Sequence, residues 1–465
     1  MSIKRHSLSF EALRERHPYL EYRGFHVAPL EARASVAITF DFFLAPSVSF
    51  QPRVIVPHTD LLLDGALDPF IFNLGLIELI SYWKCACPRE VRITAGSLSE
   101  EQVAWWRDLF LHGLGEFYFL NSLDFTAPDF LHLQSSGDVP VYGRVSLAEP
   151  QGDLVLVAGG KDSSLTLELL AAAGHPVTAL IVNPNRSALA SVQIAGFEAP
   201  YIVQRSIDPK LLELNQAGYL NGHTPFSAYL AFLGTLSAAA TGRKHVIVSN
   251  EASADEENVV YRGLPINHQY SKSVRFEQRF RRYTEEFLTK EVSYFSFLRP
   301  LHDLQISRLF SRYEKQLSSF RSCNVGQRDD YWCGQCAKCA FVFLTLAPFV
   351  DSDRLLRIFG TNVFQQPSAQ EHLRGLCGLR PVKPFECVGT REECVLALAL
   401  YLDRSAKRGE TPDPFALTIA KELSTAGAFP PASRRLLTEW KDEHFLPPAF
   451  EAVLRQATAE SRHEP

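Results

Sequence analysis

The chain has 465 residues, of which 46% are hydrophobic and 21% charged, a balance that excludes a disordered or collagen-like protein. At roughly 100 to 200 residues per domain, this length predicts two to four domains with ample core. Forty-seven basic against fifty-two acidic residues give a formal net charge of -5, so no global positive field favours nucleic acid or an anionic membrane.

The first residues, MSIKRHSLSFEALRERHPYLEYRGF, interrupt apolar positions with charge too often for a signal peptide. The longest apolar runs, such as Val395 to Leu402, fall short of the ~18 to 20 residues of a membrane span. A cytoplasmic protein is expected. From about Ala37 to His58, short Phe, Val and Ile runs broken by proline predict antiparallel strands. Asp68 to Trp83 and Glu100 to Phe119 carry apolar residues at helical spacing, with Ser99 as an N-cap. Residues 1–150 therefore read as an α+β domain.

The texture changes at Gln151. LVLVAGG is a buried strand ending in two glycines, SLTLELLAAAG a helix stopped by Gly174, and PVTALIVNP a second buried strand. Pro225 to Thr241 predicts an apolar helix, and HVIVSNEAS a strand that ends in polar residues. The fold class is α/β, a doubly wound parallel sheet over 151–350. Its glycine loop, Asn183 to Asn185, and Ser249 to Asp255 should share the crevice at the carboxyl ends of the strands. Residues 351–465 read as mainly helical, with TAESRHEP as a frayed tail.

The sharpest motif is Ala158-Gly159-Gly160-Lys161-Asp162-Ser163-Ser164, set between a strand and a helix. The glycines let the backbone turn tightly, and the free amides and dipole of the helix N-terminus favour an anion. Gly159, Gly160, Lys161, Asp162, Ser163 and Ser164 are therefore candidate phosphate-binding residues: Lys161 to neutralise oxygens, the serines to donate, and Asp162 to hold Mg²⁺ or order the loop. The spacing is not GxxxxGK[ST], which excludes a Walker loop.

Nine cysteines are present, and four of them, Cys323, Cys333, Cys336 and Cys339, crowd into one segment. Two overlapping C-x-x-C steps plus an upstream thiol make the tetrahedral set Zn²⁺ prefers. An iron-sulfur cluster and a redox pair are the alternatives. Cys387 and Cys394 could act as acid/base groups, since a thiol can return a proton to a carbanion. Three polar stretches complete the set: NGHTP from Asn221, SNEASADEEN from Ser249, and NHQYSKS from Asn267. Glu251, Asp255 and Glu256 could bind Mg²⁺, while His223, His268 and Lys272 could move protons.

AGGKDSS after a strand resembles the pyrophosphate loop (PP-loop) of ATP pyrophosphatases, usually SGGxDS, with Ala158 in place of the first hydroxyl. That resemblance implies ATP cleavage between the α and β phosphates. Followed much later by CGQCAKC, it also resembles 7-cyano-7-deazaguanine synthases, which implies the alternative of a nucleobase- or tRNA-modifying enzyme. FDFF, GLGEFYFLN, AGGKDSS, NGHTPFSA, SNEASADEEN, INHQYSKS, SFLRPL and CGQCAKCAF together resemble the MurL family over most of the chain. The MurL resemblance implies an ATP- and Mg²⁺-dependent epimerase that inverts the terminal glutamate of UDP-MurNAc-L-Ala-L-Glu through an acyl-adenylate. Its products would be AMP and diphosphate, and its partner that small molecule, with no nucleic acid or membrane.

Overall fold

The computed structural model describes residues 8–30, 34–57, 59–135, 137, 139–431 and 434–462. Thirteen strands are formed among them: β1 (Tyr19–Leu30), β2 (Ser35–Leu44), β3 (Val48–Phe50), β4 (Arg53–Pro57), β5 (Glu90–Ile93), β6 (His132–Ser135), β7 (Asp153–Leu156), β8 (Val177–Val182), β9 (Tyr201–Ser206), β10 (His245–Val248), β11 (Val259–Tyr261), β12 (Leu264–Ile266) and β13 (Ser293–Ser296). All but β11 and β12 belong to one mixed sheet ordered β13-β10-β7-β8-β9-β4-β2-β1-β5-β6, with β3 beside β2. The run from β13 to β9 is parallel throughout. As expected, the chain is α/β.

Strand alternation explains the two cores. On β7, Leu154 and Leu156 face a core shared with β1, β2, β4, β5 and the helices Asp68–Trp83 and Phe226–Thr241. Val155 faces the other core, made with the helices Lys161–Ala172, Ala337–Leu346 and Arg391–Arg408. A strand covered on both faces is apolar along its interior, which is why LVLV reads as a continuous run, and Asp153 at its start is paired with His175 and His245. The pairing of β4 with β9 is antiparallel, and it joins the strands of residues 1–150 to the parallel strands that follow.

Two predicted elements differ in detail. The helix expected over Glu100 to Phe119 breaks at Leu114 into Glu100–Gly113 and Gly115–Leu120. The expected tail is helical as far as Arg462, because Leu454 and Ala457 of Pro448–Arg462 pack into the second core. Ser99 does cap its helix, in a reciprocal capping box with Gln102. His58 and residues beyond 462 lie outside the described residues.

From β7 the chain leaves in one direction to β8, through the helix Lys161–Ala172. β10, reached through the helix Phe226–Thr241, lies on the other side of β7. The strand order therefore reverses between β7 and β10, and a crevice opens at their carboxyl ends.

Candidate functional site

The glycine loop lies at that crevice. Gly159 has φ +79°, and a Cβ there would stand 2.4 Å from the backbone nitrogen of Ala188, so only glycine fits. Gly160 caps the helix Lys161–Ala172 with no side-chain hydrogen bond, which leaves first-turn amides for a ligand. Asn185 and Gln327 both donate to the Ala158 carbonyl, and the Arg321 amide donates to that of Gly159. The Ser164 hydroxyl donates to the Gly160 carbonyl (2.8 Å) and accepts from Ser191 (2.7 Å), so it faces the helix. Ser163 Oγ lies 3.3 Å from the same carbonyl.

Lys161 is 1% exposed, and its ammonium pairs with Asp162 and, at 2.9 Å, with Asp303. Burial pushes this lysine down, but the two carboxylates hold it above its usual range. Asp303, equally buried, is pushed up to about 7 by burial in spite of Lys161. Burial also raises Glu251, with the charge of Asp162 adding to it. A buried carboxylate set with too little countercharge suits a divalent cation. Of the four acids expected for Mg²⁺, Asp162 and Glu251 belong to this set, and Asp255 and Glu256 do not. Asp255 accepts from the Val274 amide, and Glu256 pairs with Lys383 at 2.6 Å. Arg299, buried against Glu277, donates to the carbonyls of Glu251 and Lys272 and fixes both segments.

The four clustered cysteines form a second centre. Their Sγ–Sγ separations of 4.0, 3.7 and 3.5 Å match the ~3.8 Å edge of a tetrahedron built on 2.3 Å Zn–S bonds. They are too long for disulfides. Backbone amides of Gly326, Cys333, Cys336 and Cys339 point at these sulfurs, as thiolate ligands require. Zn²⁺ fits this set.

The proton-transfer candidates also converge. His268 Nδ1 lies 2.5 Å from Glu116 Oε2, and its Nε2 lies 3.9 Å from Cys387 Sγ. The His223 ring lies 4.3 Å from that of His268 at a tilt of 46°, with Nδ1 3.6 Å from Glu116. Glu116, His223 and His268 present ligand atoms within 4.8 Å of one another. The close contacts of His268 with Glu116 on one side and Cys387 on the other give the group the arrangement of a proton relay. Burial works against protonation of His268, but Cys387 and Glu116 together hold it up at about 10. Burial and the neighbouring His268 charge push His223 far down, and its Nε2 has no partner among the described residues. Burial resists ionisation of Cys387, yet Lys272, His268 and Lys338 bring it down to about 5. Lys272 is itself held cationic against burial by Cys387, Glu251 and Asp162. It therefore stands between the relay and the loop carboxylates.

Glu116, Asp303 and Lys338 were not singled out from the sequence. Glu116 interrupts the apolar run GLGEFYFL, which is a readable signal for a buried charge with a partner. Lys338 lies between two metal-spaced cysteines and donates to the Cys387 carbonyl. Asp303 had no local signal. Cys394, at 0% exposure, lies in the second core with its thiol pushed up by burial. A cavity of about 380 Å³, lined in part by Lys84, Arg205, Asn221 and Thr224, opens beside the segment that carries His223.

Residues 14–297 match the MurL N-terminal domain and residues 317–420 the MurL C-terminal domain. The chain is 35% identical over 406 residues to the UDP-N-acetyl-alpha-D-muramoyl-L-alanyl-L-glutamate epimerase of Salinispora tropica, covering 84% of this chain and 85% of that protein. It is 33% identical over 407 residues to the protein of the same name from Xanthomonas oryzae pv. oryzae, covering 84% and 88%. With both halves matched and each relative covered over most of its length, the chain belongs to the MurL family.

Proposed function

We propose that this chain epimerises the terminal L-glutamate of UDP-MurNAc-L-Ala-L-Glu in peptidoglycan precursor synthesis, with ATP and Mg²⁺, through an acyl-adenylate, releasing AMP and diphosphate. The observation that carries the reading is the crevice at the carboxyl ends of β7 and β10. A glycine loop with buried carboxylates and a relay of His223, His268, Glu116 and Cys387 stand there, joined by Lys272.

The chemistry explains why both halves are needed. Beside an ionised carboxylate an α-proton is very weakly acidic, because its removal places two negative charges together. Adenylation cancels the carboxylate charge and supplies an electron sink, and each unit of carbon acidity gained is worth at most about 1.36 kcal/mol of barrier. Gly159, Gly160, Lys161 and Ser163 would hold the phosphates, while Asp162, Glu251 and Asp303 would hold Mg²⁺, which neutralises charge on the leaving diphosphate. His223, neutral and with a free Nε2, would accept the α-proton. His268, cationic, would return one, and Glu116 would keep its ring in place. Cys323, Cys333, Cys336 and Cys339 would hold Zn²⁺ as a structural knot. A net charge of -5 gives no global field for nucleic acid, in keeping with a small-molecule substrate, and the location proposed is the cytoplasm. Among the described residues, no helix is long and apolar enough to cross a membrane.

Turnover in heavy-isotope water tests the reading. AMP and diphosphate should form, the D-glutamyl product should carry deuterium at its α-carbon, and one solvent oxygen should enter its carboxylate. Release of ADP, or inversion without ATP, would overturn the adenylate route.

A further inference from the structure

Nine cysteines are present, and their surroundings divide them sharply. Four form the metal knot. Cys85, Cys87, Cys377 and Cys394 are buried at 0–4% exposure, and burial pushes each thiol up. Cys387 alone is both partly exposed and pushed down. Its loop is pinned from outside: Asn258 donates to the Pro384 carbonyl (2.8 Å), Gln269 to that of Val388 (2.9 Å), and the Lys383 amide to the Asn258 carbonyl (3.0 Å). The same Asn258 side chain accepts from the His268 amide (2.8 Å), so one residue sets the thiol against its imidazole. Glu116 then orients the far side of that ring. Nucleophile, histidine and an orienting carboxylate in sequence form the arrangement of covalent acyl transfer.

Building on the adenylate reading above, we propose that Cys387 takes the glutamyl acyl group from AMP as a thioester, and that the α-carbon is inverted on this enzyme-bound form. The thiolate sulfur attacks the acyl carbon, a C–S bond forms, and the C–O bond to the phosphate breaks, its electron pair leaving with AMP. The α-proton passes to a base while its electron pair moves into the thioester carbonyl, and a proton returns on the opposite face. Water then adds to the acyl carbon, the C–S bond breaks, and the thiolate leaves to its pairing with His268. A thiol that is ionised at neutral pH stands ready as the thiolate, the form that attacks an acyl carbon, and it faces His268 across 3.9 Å. The thioester also keeps the electron sink after AMP has gone.

The wild-type enzyme, turning over ATP, Mg²⁺ and UDP-MurNAc-L-Ala-L-Glu, is quenched in acid and its peptides weighed. The expected result is the substrate acyl mass on the peptide containing Cys387, removable by hydroxylamine as the hydroxamate. Cys387→Ala and Cys387→Ser, checked for an unchanged circular dichroism spectrum, should lose epimerisation by about a thousandfold or more. Steady wild-type turnover with no acyl group on Cys387 would overturn the thioester, whatever the variants do. So would a variant epimerising within about tenfold of wild type. Substrate-dependent exchange of diphosphate into ATP by the wild-type enzyme separates the two readings. Exchange without acylation leaves the adenylate and removes the thioester, and turnover without exchange removes both.

Discussion

Lys161 shows how one residue can serve both folding and chemistry. Its ammonium is the nearest countercharge to the buried carboxylate of Asp303 and the partly exposed one of Asp162, in a pocket whose burial opposes ionisation of Asp303. Lys161→Met keeps the stem and removes the charge. Removing one partner of a buried pair costs about 3–5 kcal/mol, so the melting temperature should fall with ATP cleavage. Differential scanning calorimetry and AMP release, measured on the same preparation, check this. Retained AMP formation would show that the loop is not the nucleotide site. The motif made Lys161 visible, but its second partner, Asp303, stands 142 positions away at the start of another helix.

At the scale of elements, the cysteine knot and the helix Ala337–Leu346 are one device. Cys336 is the N-cap of that helix and accepts from the Cys339 amide, while the helix itself is buried from Ala337 to Leu346 in the second core. A metal bound there would set the start of a core helix, and with it Lys338 beside Cys387. Elemental analysis should find about one zinc per chain, and Cys336→Ser should lose the metal and stability together. A fully stable protein with four titratable thiols and no metal would refute the assignment. The C-x-x-C spacing was legible because tetrahedral ligation needs ligands close in sequence on a tight turn.

The whole molecule is organised by the pairing of β4 with β9, which makes residues from both sides of position 150 share one sheet and one core. A fragment of residues 1–150 would keep β2 beside β4 but lose β9, together with Leu154, Phe232 and Val246 from its core. Expressed alone, it should show no cooperative thermal transition by circular dichroism. A sharp transition would mean that the first 150 residues fold by themselves. The sequence alone determined what depends on near neighbours: the strands β7, β8 and β10, the helices Lys161–Ala172, Phe226–Thr241 and Asp68–Trp83, the glycine turn and the close spacing of four cysteines. Each has a local cause in side-chain periodicity, glycine backbone freedom or ligand reach. Tertiary structure decided the rest. Glu116, His223, His268 and Cys387 come from four separate segments, with 152 positions between Glu116 and His268 and 119 between His268 and Cys387. No periodicity encodes such a meeting, because strand order and loop packing, not neighbouring residues, set which distant side chains face one crevice.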